Sequence, residues 1–343
     1  MREAIVNPET TEKKAETEVE TEVKPKAKGE LRIQKRLQAL SDRFLKSTVS
    51  RRSFLKYVTL GTTTAAVATV AKVNVAEAFE LPDLFRAHYK ELTPEEKVKL
   101  FKKLEAETKK KHGVDVTIKD YPERKDVKFV YALNLTKCIG CRKCVDACVK
   151  ENNQSRDPQI QYIKVLEMEN GSFNLEKSNQ HYDPETVPQK GKFYMPVQCQ
   201  HCDNPPCVKA CPVEATWKAS DGIVEIDYEW CIGCRYCQAA CPYEARHFNF
   251  ATPQIPPEEI NPNQGYLSNR IRPYGVVEKC NFCSHRTRQG LLPACLEVCP
   301  TGSRKFGNIL DPESEVSIIM REKRIYVLKE ELNTMPSFIY FFD

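Results

Sequence analysis

Sixteen cysteines, all in four tight clusters, constrain this chain more than any other feature of its 343 residues. The first cluster, "KCIGCRKCVDACVKENN", spaces Cys138, Cys141, Cys144 and Cys148 by two, two and three residues. The second spaces Cys199, Cys202, Cys207 and Cys211 by two, four and three, with Pro212 behind it. The third, Cys231, Cys234, Cys237 and Cys241, repeats the first spacing and is followed by Pro242. The fourth places Cys280, Cys283, Cys295 and Cys299 at intervals of two, eleven and three, then Pro300. No cysteine is left over.

Three chemistries compete for such clusters. Disulfides suit an oxidising compartment, but several cysteines within a few residues exceed what bridging geometry accommodates. Zinc takes four ligands, usually as two pairs separated by a longer gap, and the third and fourth cysteines here fall too close for that. A cubane iron–sulfur cluster explains the spacing better. Three sulfurs at short intervals wrap a loop around three corner irons, and the final step starts a helix whose cysteine points toward a second cube. A proline after that cysteine bends the chain off the cluster; the first motif has Val149 there instead. Gly140 and Gly233, inside the two "CIGC" turns, allow positive φ and let N–H groups approach sulfur, while Arg142, Lys143 and Arg235 set cations beside an anionic cluster. Haem c is excluded, because no Cys-x2-Cys-His occurs and His285 comes one residue late.

Charge argues against a nucleic-acid partner. The formal +5 lies in residues 1–78, with 15 Lys/Arg against 10 Asp/Glu, which leaves 37 of each from residue 79 onward. Residues 1–50 read as a disordered leader, rich in Glu, Lys and Thr. In residues 51–78, Arg51–Arg52, Phe54-Leu55-Lys56, a charge-free stretch to Ala71 and "AEA" at 76–78 resemble a twin-arginine export signal. Neither this stretch nor the last twenty residues has the apolar length of a membrane span.

Local patterns supply the scaffold. "TPEEKVKLFKKLEAETKKKHG" predicts a helix with Thr93 as N-cap, Glu96 completing a capping box and Gly113 as stop, its apolar face formed by Val98, Leu100, Phe101 and Leu104. "FVYALNL" at 129–135 and "GIVEIDYEW" at 222–230 predict strands entering the first and third motifs. "QYIKVLEM" at 161–168 and "KFYMPV" at 192–197 predict a hairpin around a polar surface loop, and the proline-rich 252–274 an extended loop. The final "FIYFF" reads as a strand or contact patch.

From about residue 127 onward, "CQHCDNPPCVKACP", "CIGCRYCQAACPYEARHF" and "CNFCSHRTRQGLLPACLEVCPTGSRKFG" resemble the four-cluster iron–sulfur subunits of the DMSO reductase and polysulfide reductase group. Similar subunits accompany formate dehydrogenases, hydrogenase-2 and sulfite-reductase-associated complexes. The resemblance implies an α+β fold of two duplicated ferredoxin-like dicluster modules with loop and hairpin insertions. It implies an N-terminal extension over 79–126, a four-cluster domain over 127–310 and a tail over 311–343 that packs on the domain or a partner. It implies four [4Fe–4S] clusters: Cys138, Cys141, Cys144 and Cys299; Cys199, Cys202, Cys207 and Cys241; Cys211, Cys231, Cys234 and Cys237; and Cys148, Cys280, Cys283 and Cys295. It implies, finally, a periplasmic or outer-face electron-transfer subunit, peripheral through its partners. These would be a quinone-interacting membrane subunit and a molybdenum catalytic subunit or multihaem cytochrome. The chain has no nucleophile–base arrangement or nucleotide-binding glycine loop, so its own role reads as a relay. Rival readings are a zinc-holding scaffold without redox activity and direct reduction of a soluble substrate at an exposed cube.

Overall fold

Residues Phe129–Asn134 are buried along their whole length, as a strand covered on both faces must be. The computed structural model describes residues 92–343, all within the unit Ala76–Asp343, so the expected leader and twin-arginine segment lie outside the described residues. In chain order the elements that matter are α1 (Pro94–His112), β1 (Thr117–Lys119), β2 (Phe129–Asn134), α2 (Lys143–Glu151), β3 (Lys164–Glu169), β4 (Lys192–Val197), α3 (Pro206–Lys209), β5 (Thr216–Lys218) and β6 (Val224–Ile226). They continue with α4 (Tyr236–Ala239), β7 (His247–Phe248), β8 (Asn263–Gly265), β9 (Val277–Glu278), α5 (Ser284–Thr287), α6 (Ala294–Glu297), β10 (Arg304–Asn308), α7 (Glu315–Glu322), β11 (Arg324–Tyr326) and β12 (Phe338–Phe342). Short helices mixed with small sheets make the fold α+β, as the sequence implied.

The largest sheet has the order β10-β2-β12-β11. Its strands alternate inward residues with period two. Phe129, Tyr131, Leu133, Phe338 and Tyr340 join the main core around the cysteines, whereas Val130, Ala132, Ile339 and Phe341 pack on Val316 and Ile319 of α7. The last strand is therefore interior: β12 runs parallel to β2, with Tyr131 opposite Phe338. Residues 311–343 pack on their own domain.

This sheet also brings the first and fourth motifs together. β2 leads into the first, β10 leaves the fourth, and the two pair antiparallel with Arg304 opposite Leu133. Downstream, α2 packs against α6. The second and third motifs meet through α3 against α4 and through the β5–β6 hairpin between them. β3 and β4 form the expected hairpin, with Lys164 opposite Val197. Its connection is less superficial than its polarity suggested, because Tyr182 is buried and donates to the Gly140 carbonyl at 2.5 Å.

Three expectations need correction or refinement. The strand expected over 222–230 shrinks to Val224–Ile226, since Asp227 turns the chain by accepting from the N–H groups of Glu229 and Trp230. Residues 252–274 form a largely irregular stretch, but a packed one: Ile255, Ile260 and Tyr266 are buried against Leu104, Val116 and Ile118, and β8 pairs with β1. Within α1 the capping box and left-handed Gly113 stop are present, but Val98 is 54% exposed. It lies about 120° around the helix from Leu104, off the packed face.

Candidate iron–sulfur centres

Each motif supplies a turn and the first residues of a short helix, so sulfurs from one motif surround a point that the partner motif completes. Cys138, Cys141, Cys144 and Cys299 line one cavity together with Gly140 and Arg304. Cys199, Cys202, Cys207 and Cys241 line a second, with His201 and Arg246. Cys148 lies among Cys280, Cys283 and Cys295. Cys231 lies beside Cys211, Cys234 and Cys237. These neighbourhoods draw sulfurs from paired motifs, and none of the sixteen cysteines is in a disulfide.

The groups adjoin one another in a definite order. Cys144 of the first interacts with Cys295, Cys280 with Cys199, and Cys207 with Cys237. The resulting line runs from the Cys138 group through the Cys148 group and the Cys199 group to the Cys231 group. Its inner two groups are almost wholly buried, and the exposed Cys234 marks one end.

Backbone geometry prepares the turns. Gly140 and Gly233 have φ of +75° and +74°, and their N–H groups bond to Cys138 and Cys231. A Cβ at Gly140 would enter the Tyr194 ring, and one at Gly233 would overlap the Gly275 carbonyl oxygen. Both positions require glycine.

Electrostatics then tests whether the donor set suits a cluster. Burial, reinforced by neighbouring thiols, pushes Cys138, Cys202 and Cys283 up to about 12. At Cys299 burial also pushes upward, but hydrogen bonds from Ser303 and Thr301 outweigh it and hold the thiol below its ordinary range. Most sulfurs therefore need a metal's charge to ionise, and loading must expel their protons. Two fully buried arginines face these sulfurs. Arg304 Nη2 lies 3.2 Å from Cys144 Sγ, and Arg246 Nη2 lies 3.0 Å from Cys207 Sγ. Among the described residues neither makes an ion pair with a carboxylate. A buried, uncompensated guanidinium is costly, and an anionic group held by those sulfurs supplies its counter-charge. The residues fit [4Fe–4S] clusters.

Among the described residues no group of three His, Cys, Asp or Glu side chains is placed to hold a single metal ion.

Of the cations singled out in the sequence, Arg142 lines the first cavity while reaching Gln161 at 3.1 Å. Lys143 is exposed, and Arg235 lies 5.2 and 5.5 Å from the Phe248 and Phe250 rings, whereas sequence reasoning missed Arg246 and Arg304. It also missed Gln154, whose Nε2 lies 3.1 Å from Cys148 Sγ, and His201 stacked on Phe282 with ring centres 3.7 Å apart. One signal was available. Arg246 and Arg304 each stand five residues after the last cysteine of their motif, in "CPYEAR" and "CPTGSR".

Comparison with known proteins gives a concordant result. One 4Fe-4S dicluster domain model matches residues 191–255 and 268–309, and a second matches 137–215. A candidate dimethyl sulfoxide reductase iron–sulfur subunit of Halobacterium salinarum is 44% identical over 204 residues, covering 60% of this chain and 75% of that one. A selenate reductase subunit of Mesobacillus selenatarsenatis is 39% identical, covering 63% and 72%. An iron–sulfur subunit of the Hdr-like menaquinol oxidoreductase of Archaeoglobus fulgidus is 38% identical, covering 63% and 84%.

Proposed function

The chain belongs to the family of [4Fe–4S] dicluster iron–sulfur subunits of respiratory oxidoreductases, and we propose that it relays electrons along a line of four cubes. The observation that carries this reading is the convergence of sixteen free cysteines into four adjoining groups, each drawn from two motifs. Bound clusters supply reversible one-electron exchange at potentials set by their surroundings.

The chain's residues hold, space and insulate that chemistry. Cys138, Cys141, Cys144 and Cys299 hold the first cube; Cys148, Cys280, Cys283 and Cys295 the second. Cys199, Cys202, Cys207 and Cys241 hold the third; Cys211, Cys231, Cys234 and Cys237 the fourth. The adjoining cysteines of successive groups keep neighbouring centres close, and the buried inner groups exclude water. Exposed Cys234, with Ile232, Tyr236 and Phe250 exposed nearby in sequence, marks the end open to a partner.

We assign as partners a quinone-interacting membrane subunit and a molybdenum catalytic subunit or multihaem cytochrome. Arg51–Arg52 and the uncharged stretch after it support export to the outer face of the cytoplasmic membrane. Among the described residues no helix is long and apolar enough to cross a membrane, which fits attachment through partners. Anaerobic purification followed by iron and acid-labile sulfide analysis tests the reading. About sixteen irons per chain are expected for four cubes, and zinc without labile sulfide would overturn it.

A further inference from the structure

We infer that Arg304 and Arg246 set the reduction potentials of the two cubes whose third motif cysteine they touch, each holding its cube above the other cube of the same module. This inference rests on the cluster reading proposed above. Its starting point is a broken symmetry. Each module contains two motifs, and each motif has a residue five positions after its last cysteine. In the third and fourth motifs that residue is Arg246 or Arg304; in the first and second it is Asn153 or Thr216. The side chains diverge accordingly. Arg304 and Arg246 reach across to Cys144 and Cys207. Asn153 is engaged with the Asn261 and Asn269 carbonyls, and Thr216 donates to the Glu225 carbonyl.

The other cube of each module meets its arginine less closely. At the Cys148 group the closest side-chain groups are neutral: Gln154 at 3.1 Å from Cys148, the Tyr131 hydroxyl, which itself accepts from Arg304, at 3.3 Å from Cys295, and Asn152 at 3.6 and 3.7 Å from Cys148 and Cys283. Arg304 Nη1 reaches that group only at 3.9 Å, on Cys295. At the Cys231 group Arg246 also acts on Cys237, but its 3.0 Å contact is to Cys207; the hydrogen bonds to Cys231 come from the backbone of Val277 and Gly233, and the exposure of Cys234 admits screening water. Reduction adds one electron to a cube and breaks no bond, so whatever favours the extra negative charge raises the potential. A buried guanidinium at hydrogen-bond distance does so through both its charge and its N–H donor, and water is absent to weaken it.

The test is a redox titration of the anaerobically purified complex, followed by electron paramagnetic resonance, with iron analysis on every sample. Arg304→Gln and Arg246→Gln are expected to retain wild-type iron and to lower the midpoint of one signal more than any other, a different signal for each variant. The corresponding lysine variants should fall between glutamine and wild type. Wild-type protein carrying nitrogen-15-labelled arginine should show its strongest nitrogen hyperfine coupling at two of its reduced centres, a measurement that needs no variant to fold. Unshifted midpoints in iron-replete glutamine variants, or no arginine coupling in the labelled protein, would overturn the inference and leave the cluster reading standing. Wild-type protein lacking reducible iron would overturn that reading itself.

Discussion

At the scale of single residues, fit and charge decide different things. Gly233 is fixed by both its φ of +74° and the Gly275 carbonyl beside it. Gly233→Ala should destabilise the protein on the order of 2–4 kcal/mol, from left-handed backbone strain plus overpacking. Chemical denaturation under anaerobic conditions would measure it. Glu225 illustrates charge. Burial pushes its carboxyl up to about 7, against the opposing pull of Arg288 at 3.1 Å, while Asp221 shares the same guanidinium. The folded chain thus keeps a proton that the unfolded chain releases. This contribution to stability is full below the ordinary carboxyl value and is lost as pH rises to about 7. Glu225→Gln should gain thermal stability relative to wild type between about pH 5 and about pH 8; parallel melting curves across that range would show no relative gain if the assignment were wrong. The cysteine clusters and turn glycines were legible in sequence because their spacing is local. The buried arginines were not, because nothing local says that Arg304 turns inward to Cys144 while Lys143 stays exposed.

Elements were readable where periodicity survives in a single stretch. The cap residues of α1, the β3–β4 hairpin and β2 follow from such patterns. What covers 252–274 could not be read, since its apolar residues are few and scattered and meet α1 and β1 only in three dimensions. That satellite core makes a separable prediction. Leu104→Ala should cost about 2–3 kcal/mol and raise hydrogen exchange across Pro94–Lys119, with iron content unchanged. Concurrent iron loss would mean that α1 supports the cluster domain more directly than its packing indicates.

For the whole molecule, the duplicated modules make the proposed ligation non-local. Cys148 sits in α2, yet its sulfur lies among Cys280, Cys283 and Cys295. Cys148→Ser should perturb the centre built mainly by the fourth motif, with up to about a quarter of the iron lost. Spectra showing that centre intact and a Cys138-group centre altered would refute the pairing. The central sheet carries the same non-locality into synthesis. β2, which delivers the first motif, needs β12 beside it, and Asn134 bonds across 209 residues to Asp343 at 2.9 Å. The cysteines of the first motif thus leave the ribosome long before the strand that completes their bed.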